Sequence, residues 1–262
     1  MAAPPSFASG LAHEVSGHGE PILLLHGLGG RRRVWQEIEP TLAHKHQVIT
    51  VDLPGFGESP PLADARAPII PAQADAIELL LDELVIGRTY IVGNSLGGWL
   101  AFELARRGRA RGVIAISPAG VWTLLEARWF WAVMTAHRIG AKLGRPFARI
   151  LMRTGALRTL LFALIHSRGS RIAPEDGAET LRNFADAEGF VPTRRWCGSR
   201  QIEGLEEIDC PVLIAWGTRS ASASAPGAAT RAEDRHGATR RTARRRARAD
   251  ERRSGVGRRI DP

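Results

Sequence analysis

A serine at position 95 stands in the stretch Gly93-Asn94-Ser95-Leu96-Gly97, which has the form G-x-S-x-G. The stretch follows an apolar run and precedes a segment with few helix breakers. A sharp strand-to-helix turn holds such a serine in a strained conformation with its hydroxyl exposed, which suits attack on an acyl carbon. The amide of Leu96, at the start of the helix, would then face a developing oxyanion. We therefore predict that Ser95 is a nucleophile, with a plain turn serine as the alternative.

A second stretch, His26-Gly27-Leu28-Gly29-Gly30, follows the apolar run 22–25. Glycines allow the backbone amides of such a loop to turn towards a site, and Leu28 is the candidate for the second oxyanion donor. The alternative is an ordinary glycine turn between a strand and a helix. We interpret His26 as structural rather than as the catalytic base, since it lies in a loop whose backbone carries the chemistry.

The elements that must position these residues are visible as alternating patterns. Short apolar runs bounded by glycine or proline predict strands at 22–25, 47–51, 89–92, 112–116 and 211–216. Helices are predicted over 69–86 and 96–107; in the first, Gly87 suits the end and the apolar positions share one face (Ile77, Leu80, Leu81, Leu84 and Val85). This alternation predicts an α/β fold with a parallel sheet covered on both faces. Asp52, at the end of the second strand, is predicted to order its loop rather than to do chemistry.

Two regions depart from this alternation. Residues 121–205 contain no good strand and hold four of the seven tryptophans, which predicts a helical cap between a core at 14–120 and a core strand at 206–218. Residues 219–262 contain 13 arginines and five acidic residues but no Leu, Phe, Trp, Tyr or Met. Such a segment buries too little apolar surface to offset the entropy of ordering it, so we predict a disordered, Arg-rich tail.

Composition excludes several function classes. The net charge of +9 suggests a nucleic-acid binder, but the excess charge lies in the tail, so we expect only non-specific nucleic-acid binding there. The sequence shows no membrane span and no signal peptide, which predicts a cytoplasmic protein. Cys197 and Cys210 indicate neither a disulfide scaffold nor a zinc site, and no motif for a cofactor or metal is recognisable.

Together, the stretches 26–30, 52–59 and 93–97, in this order, resemble the α/β-hydrolase superfamily over about residues 14–218. The resemblance implies a doubly wound, mostly parallel sheet with a helical cap and a Ser-His-acid triad. Ser95 matches the nucleophile, and the Leu28 and Leu96 backbones match the oxyanion hole. Relatives with aspartate as nucleophile, such as haloalkane dehalogenases and epoxide hydrolases, are disfavoured by Ser95. The short glycine loop and apolar cap favour esters, or related acyl or carbon–carbon bonds, of a small apolar substrate.

The sequence departs from that family's pattern after residue 218. The pattern places the acid just past Thr218, where this chain has Arg219 and Ser220, and no final strand, Gly-His pair or last helix is recognisable. His236 remains as a candidate base, although its charged surroundings offer no strand to position it. Because 34 arginines and 2 lysines suggest GC-rich coding DNA, we hypothesise that 219–262 is a frame-shifted C-terminus; a natural basic tail is the alternative. We therefore expect little turnover, and the rival interpretation is a non-catalytic small-ligand-binding protein on the same fold.

Overall fold

A single sheet organises the part of the chain that the computed structural model describes, which is residues 9–64, 66–67, 69–162, 169–198 and 200–216. Its strands are β1 (His13–Ser16), β2 (Glu20–Leu25), β3 (His46–Val51), β4 (Thr89–Asn94), β5 (Ala110–Ile116) and β6 (Val212–Ala215). Their order across the sheet is β1-β3-β2-β4-β5-β6. Strand β1 runs antiparallel to β3, while the other neighbours are parallel. The predicted mostly parallel α/β sheet is confirmed, and β1 is a strand that the sequence pattern did not indicate.

Helices connect these strands. The first three are α1 (Glu39–Ala43), α2 (Ile69–Glu83) and α3 (Leu96–Arg106). Between β5 and β6 the described residues form α4 (Leu124–Gly144), α5 (Ala148–Leu151), α6 (Gly155–Phe162), α7 (Pro174–Asp186) and α8 (Phe190–Cys197), with three short 3-10 turns and no strand among them. The helical character expected of 121–205 is therefore observed, whereas the exact limits of core and cap stay predictions.

The sheet is apolar on both faces because successive residues of a strand point to opposite sides. In β2, Leu23 and Leu25 face the core formed with α2 and α3. Ile22 and Leu24 instead pack with Trp35 on the opposite face. The last four side chains of β2 are all buried, which is the continuous apolar pattern of a central parallel strand.

Helix α2 ends earlier than predicted. It stops at Glu83, and Val85 adopts a left-handed conformation with φ of 58° and is 91% exposed. The amide of Ile86 donates to Leu81 O and that of Val85 to Asp82 O, the two hydrogen bonds of a Schellman motif. The prediction that Val85 shares one helical face with the other apolar residues, with Gly87 ending the helix, was wrong because this motif turns the chain two residues sooner.

Replacing Val85 by glycine should stabilise the protein by about 1 kcal/mol, because a β-branched residue is strained in the left-handed region. Helix α3 offers the matched control, since Gly108 occupies the same position with φ of 77° and the same pair of hydrogen bonds. Gly108→Val should therefore destabilise by a similar amount. Thermal unfolding of both variants is the measurement, and equal melting temperatures for wild type and Val85→Gly would contradict the prediction.

The predicted Arg-rich tail at 219–262, and with it His236, lies outside the described residues. The strand predicted at 211–216 is β6, whose Leu213 is 57% exposed.

None of the helices described is both long enough and apolar enough to cross a membrane.

Candidate active site

The topology of the sheet determines where a site can form. Strand β2 lies between β3 and β4, so the chain leaves β2 towards one side of the sheet and later adds β4 on the other side. Loops that follow two such strands diverge and leave a crevice at their carboxyl ends. The glycine loop 26–30 follows β2 and Ser95 follows β4, so both border this crevice.

Ser95 occupies a strained turn between β4 and α3. Its φ of 52° and ψ of −109° are unusual for any residue with a side chain. Its amide donates to Ile116 O at 2.9 Å, and its carbonyl accepts from the amides of Gly98, Trp99 and Ala119 at 3.0, 3.2 and 2.9 Å. These bonds hold the backbone of Ser95, at the carboxyl end of β4, in a conformation that it would not adopt alone.

Two glycines make this turn possible. A β-carbon at Gly93 would lie 2.1 Å from Gly97 O, and one at Gly97 would lie 2.3 Å from Leu25 O. Both obstacles are backbone atoms, which cannot rotate away as a side chain can. The first and last glycines of G-x-S-x-G are therefore required by the close approach of α3 to β2 and β4.

The glycine loop lies directly against the turn at Ser95. A β-carbon at Gly27 would be 3.3 Å from Ser95 Cβ. Among the described residues, the amides of Leu28 and Leu96 have no backbone acceptor. Two free N–H groups beside a strained serine are the arrangement that stabilises a tetrahedral oxyanion.

His26 is fully buried and has both ring nitrogens occupied. Nδ1 lies 2.8 Å from Gly27 O, and Nε2 accepts from the Leu53 amide at 2.9 Å. Its ring also packs edge-on against Phe56 at 5.8 Å. These contacts tie the loop after β2 to the loop after β3, so in this structure His26 orders the two loops and is not in position to act as a base.

Burial lowers the pKa of His26 below its usual value of about 6.5. The unfolded chain therefore binds a proton at this residue before the folded chain does, so its contribution to stability is complete above pH 6.5 and falls as the pH drops below it. We expect the melting temperature of His26→Gln to vary less between pH 7 and pH 5 than that of the wild type. His44→Gln, at an exposed histidine, is the control and should leave the slope unchanged.

Asp52 is buried at the end of β3 and orders the loop that follows. Its carboxylate accepts from the Arg32 amide and guanidinium, both at 2.5 Å, and from the Glu58 amide at 3.0 Å. A β-carbon at Gly57 would lie 2.3 Å from the same carboxylate. These partners occupy the carboxylate, in agreement with the predicted loop-ordering role.

A narrow pocket, with room for about one water molecule, opens beside Ser95. Its lining is mostly apolar, and helices α4 and α8 form the side opposite the sheet: Leu28, Ser95, Leu96, Ala119, Trp122, Phe130, Trp131, Thr193 and Cys197. The rings of Trp122, Phe130 and Trp131 contact one another at centroid distances of 5.0 to 6.2 Å. Burial raises the pKa of the Cys197 thiol to about 12, so the thiol stays protonated at neutral pH.

The structure brings three predicted site residues, Ser95, Leu28 and Leu96, to one pocket. It does not place a histidine there among the described residues, and the candidate base His236 is outside them. Sequence reasoning missed Phe130 and Thr193, which have no motif and reach the pocket only because α4 and α8 fold over the sheet.

Comparisons with known proteins show the family to which the chain belongs. The model of the alpha/beta hydrolase family matches residues 22–256. The putative carbamate hydrolase RutD of Variovorax paradoxus is 35% identical over 238 residues, which cover 76% of this chain and 85% of that protein. Epoxide hydrolase EphH of Mycobacterium tuberculosis is 47% identical over 89 residues. That match covers 30% of this chain and spans only 42% of the length of EphH.

Solved structures show the same fold. The structure of epoxide hydrolase CorEH without ligand covers 79% of this chain and 78% of its own, with a TM-score of 0.60. Its sequence identity is 20%, so this likeness concerns the fold and not the reaction.

Proposed function

Because the chain belongs to the alpha/beta hydrolase family, we propose that it is a hydrolase whose Ser95 attacks the acyl carbon of a small apolar substrate. The bond cleaved is a carboxylic ester, or a related acyl or carbon–carbon bond. The conformation of Ser95 carries this proposal: a positive φ at a strand-to-helix turn, with two free amides and an apolar pocket beside it. A turn serine without chemistry would not require such strain.

The proposed reaction follows from these groups. The Ser95 oxygen bonds to the acyl carbon, and the carbonyl oxygen becomes an oxyanion that accepts from the Leu28 and Leu96 amides. Collapse expels the leaving group, which takes up a proton, and leaves an acyl group on Ser95. Water then attacks the same carbon and releases the acid. Both steps need a base to accept a proton, since a serine hydroxyl is barely nucleophilic at neutral pH.

Acyl transfer is favoured over epoxide opening. The family members with aspartate at the nucleophile position include epoxide hydrolases, whereas this chain has Ser95 there. RutD, named as a putative carbamate hydrolase, is a relative whose named reaction is also cleavage at an acyl carbon. The similarity to EphH supports the hydrolase family and not an epoxide substrate.

We expect turnover to be slow, because the remaining candidate base, His236, has no recognisable strand to position it. The second candidate function, binding of a small apolar ligand without catalysis, is favoured by a pocket in which no described histidine accompanies Ser95. Reaction with an activated short-chain ester, p-nitrophenyl butyrate, separates the two. Acylation that depends on Ser95 supports the hydrolase, and saturable binding without acylation supports the ligand-binding protein.

A further inference from the structure

Helix α4 is apolar on two opposite faces. One face is buried against the rest of the protein and holds Ala127, Trp131, Met134 and Ala141. On the opposite side, exposed residues recur every three or four positions, and all of them are apolar as well. They form what we call the apolar stripe: Leu125, Trp129, Ala132, Ala136, Ile139 and Leu143. A helix on the surface of a globular protein ordinarily carries polar residues on this side.

The apolar stripe is long and open to solvent. It follows about five turns of α4, or roughly 27 Å of helix. Its four large side chains, those of Leu125, Trp129, Ile139 and Leu143, are between 51% and 78% exposed. Phe147 and Ile150, which follow α4 in the chain, are exposed too. A continuous apolar surface of this extent marks a contact with a protein partner or with a membrane.

Basic side chains surround the apolar stripe. Residues 124–153 include six arginines or lysines but a single acidic residue, Glu126. Four of the basic side chains are exposed and form no ion pair within the described part of the chain: Arg128, Lys142, Arg149 and Arg153. Apolar side chains bordered by arginine and lysine are the pattern of a helix that lies in the plane of an anionic lipid surface.

We propose that this face of α4, the apolar stripe with its basic border, docks on an anionic lipid surface. The large side chains of the stripe enter the boundary between headgroups and acyl chains, while Arg128 and Lys142 extend to the negatively charged headgroups. The helix lies on the lipid and does not cross it. Docking of this kind does not depend on the reaction proposed at Ser95.

A second copy of this chain is the competing occupant of the same face. A two-fold interface through the apolar stripe would bring the basic border of one copy against that of the other. The carboxylate of Glu126 does not offset these charges, because it already accepts from the amide and hydroxyl of Thr123 at the start of the helix. An anionic lipid surface supplies the opposite charge along the whole stripe, which favours lipid as the occupant.

The test measures binding of the full chain to phosphatidylcholine vesicles with and without phosphatidylserine. We expect Leu143→Ser to weaken binding to the anionic vesicles about 10-fold, because the stripe loses a large apolar side chain. Lys142→Gln should weaken it about 5-fold. The matched controls are Leu79→Ser, at an exposed leucine of α2, and Lys45→Gln, at the other lysine of the chain, and both should bind as the wild type does.

A second measurement separates docking of the stripe from electrostatic attraction by the Arg-rich residues 219–262. Trp129 lies within the stripe and is exposed, so brominated phospholipid in the anionic vesicles should quench its fluorescence. Trp129→Phe keeps an aromatic ring in the stripe, and we expect it to bind the vesicles but to lose most of the quenching. Attraction by residues 219–262 alone would not bring the indole ring among the lipid chains.

Four results would overturn the inference: no binding to anionic vesicles, equally tight binding to neutral vesicles, wild-type binding by both Leu143→Ser and Leu125→Ser, or no quenching that depends on Trp129. Self-association of the wild type that Leu143→Ser removes, without vesicle binding, would assign the face to a second copy and also overturn it. Both substituted leucines are exposed, so the variants should unfold at the wild-type temperature, which checks that they retain the fold.

Discussion

A butyryl group from p-nitrophenyl butyrate should accumulate on Ser95 of the full chain, and Ser95→Ala should abolish this adduct. The strained turn and the Leu28 and Leu96 amides favour attack on an activated ester. Both steps need a base, and loss of one triad member costs several orders of magnitude in rate. Acylation is less affected, because the p-nitrophenolate leaving group departs without a proton, whereas attack of water on the Ser95 ester has no such help. The acyl group should therefore be attached to Ser95 faster than it is hydrolysed, and mass spectrometry of the Ser95 peptide should detect the adduct.

A neighbouring serine provides the matched control. Ser117 also has a positive φ, of 44°, at the carboxyl end of the adjacent strand β5, but it does not line the pocket. Ser117→Ala should leave the adduct unchanged, and so should His236→Ala if His236 is not the base. Fast, Ser95-dependent turnover that is lost in His236→Ala would show a working triad and contradict the slow turnover that we expect.

Gly97→Ala should destabilise the protein by more than about 4 kcal/mol, a large fraction of the stability of an ordinary domain. The added methyl carbon would lie 2.3 Å from Leu25 O and 2.7 Å from His26 O. Relieving both contacts requires α3 to move away from β2, which would disrupt the strained turn at Ser95 and the core beneath it. Denaturant unfolding of the variant measures the loss.

Helix α4 contains a glycine at which the same substitution should have the opposite effect. Gly140 is exposed, and a β-carbon there would contact nothing within 4 Å. Gly140→Ala should therefore raise the free energy of unfolding by up to about 1 kcal/mol, the difference in helix propensity between glycine and alanine. If Gly97→Ala and Gly140→Ala had effects of the same sign and size, the crowding at Gly97 would not be the cause.

The sequence was sufficient for the features whose cause is local. Apolar runs bounded by glycine predicted strands β2 to β6, because a central parallel strand must be apolar on both faces. The spacing of Gly93, Ser95 and Gly97 located the strained turn at Ser95, since only glycine fits where two backbones approach closely. Two short elements were missed: β1 has Val15 as its only apolar residue, and α1 has five residues, too few to show a periodic pattern.

Other features depend on residues far apart in the chain, and only the tertiary structure decided them. The Schellman end of α2 at Val85 could not be foreseen from residue types, because valine disfavours that conformation and packing overrides its preference. The hydrogen bond that His26 accepts comes from the Leu53 amide in another loop, which the residues next to His26 do not indicate. The pocket depends most on the fold: Phe130, Trp131 and Thr193 line it together with Ser95 only because α4 and α8 pack above the sheet.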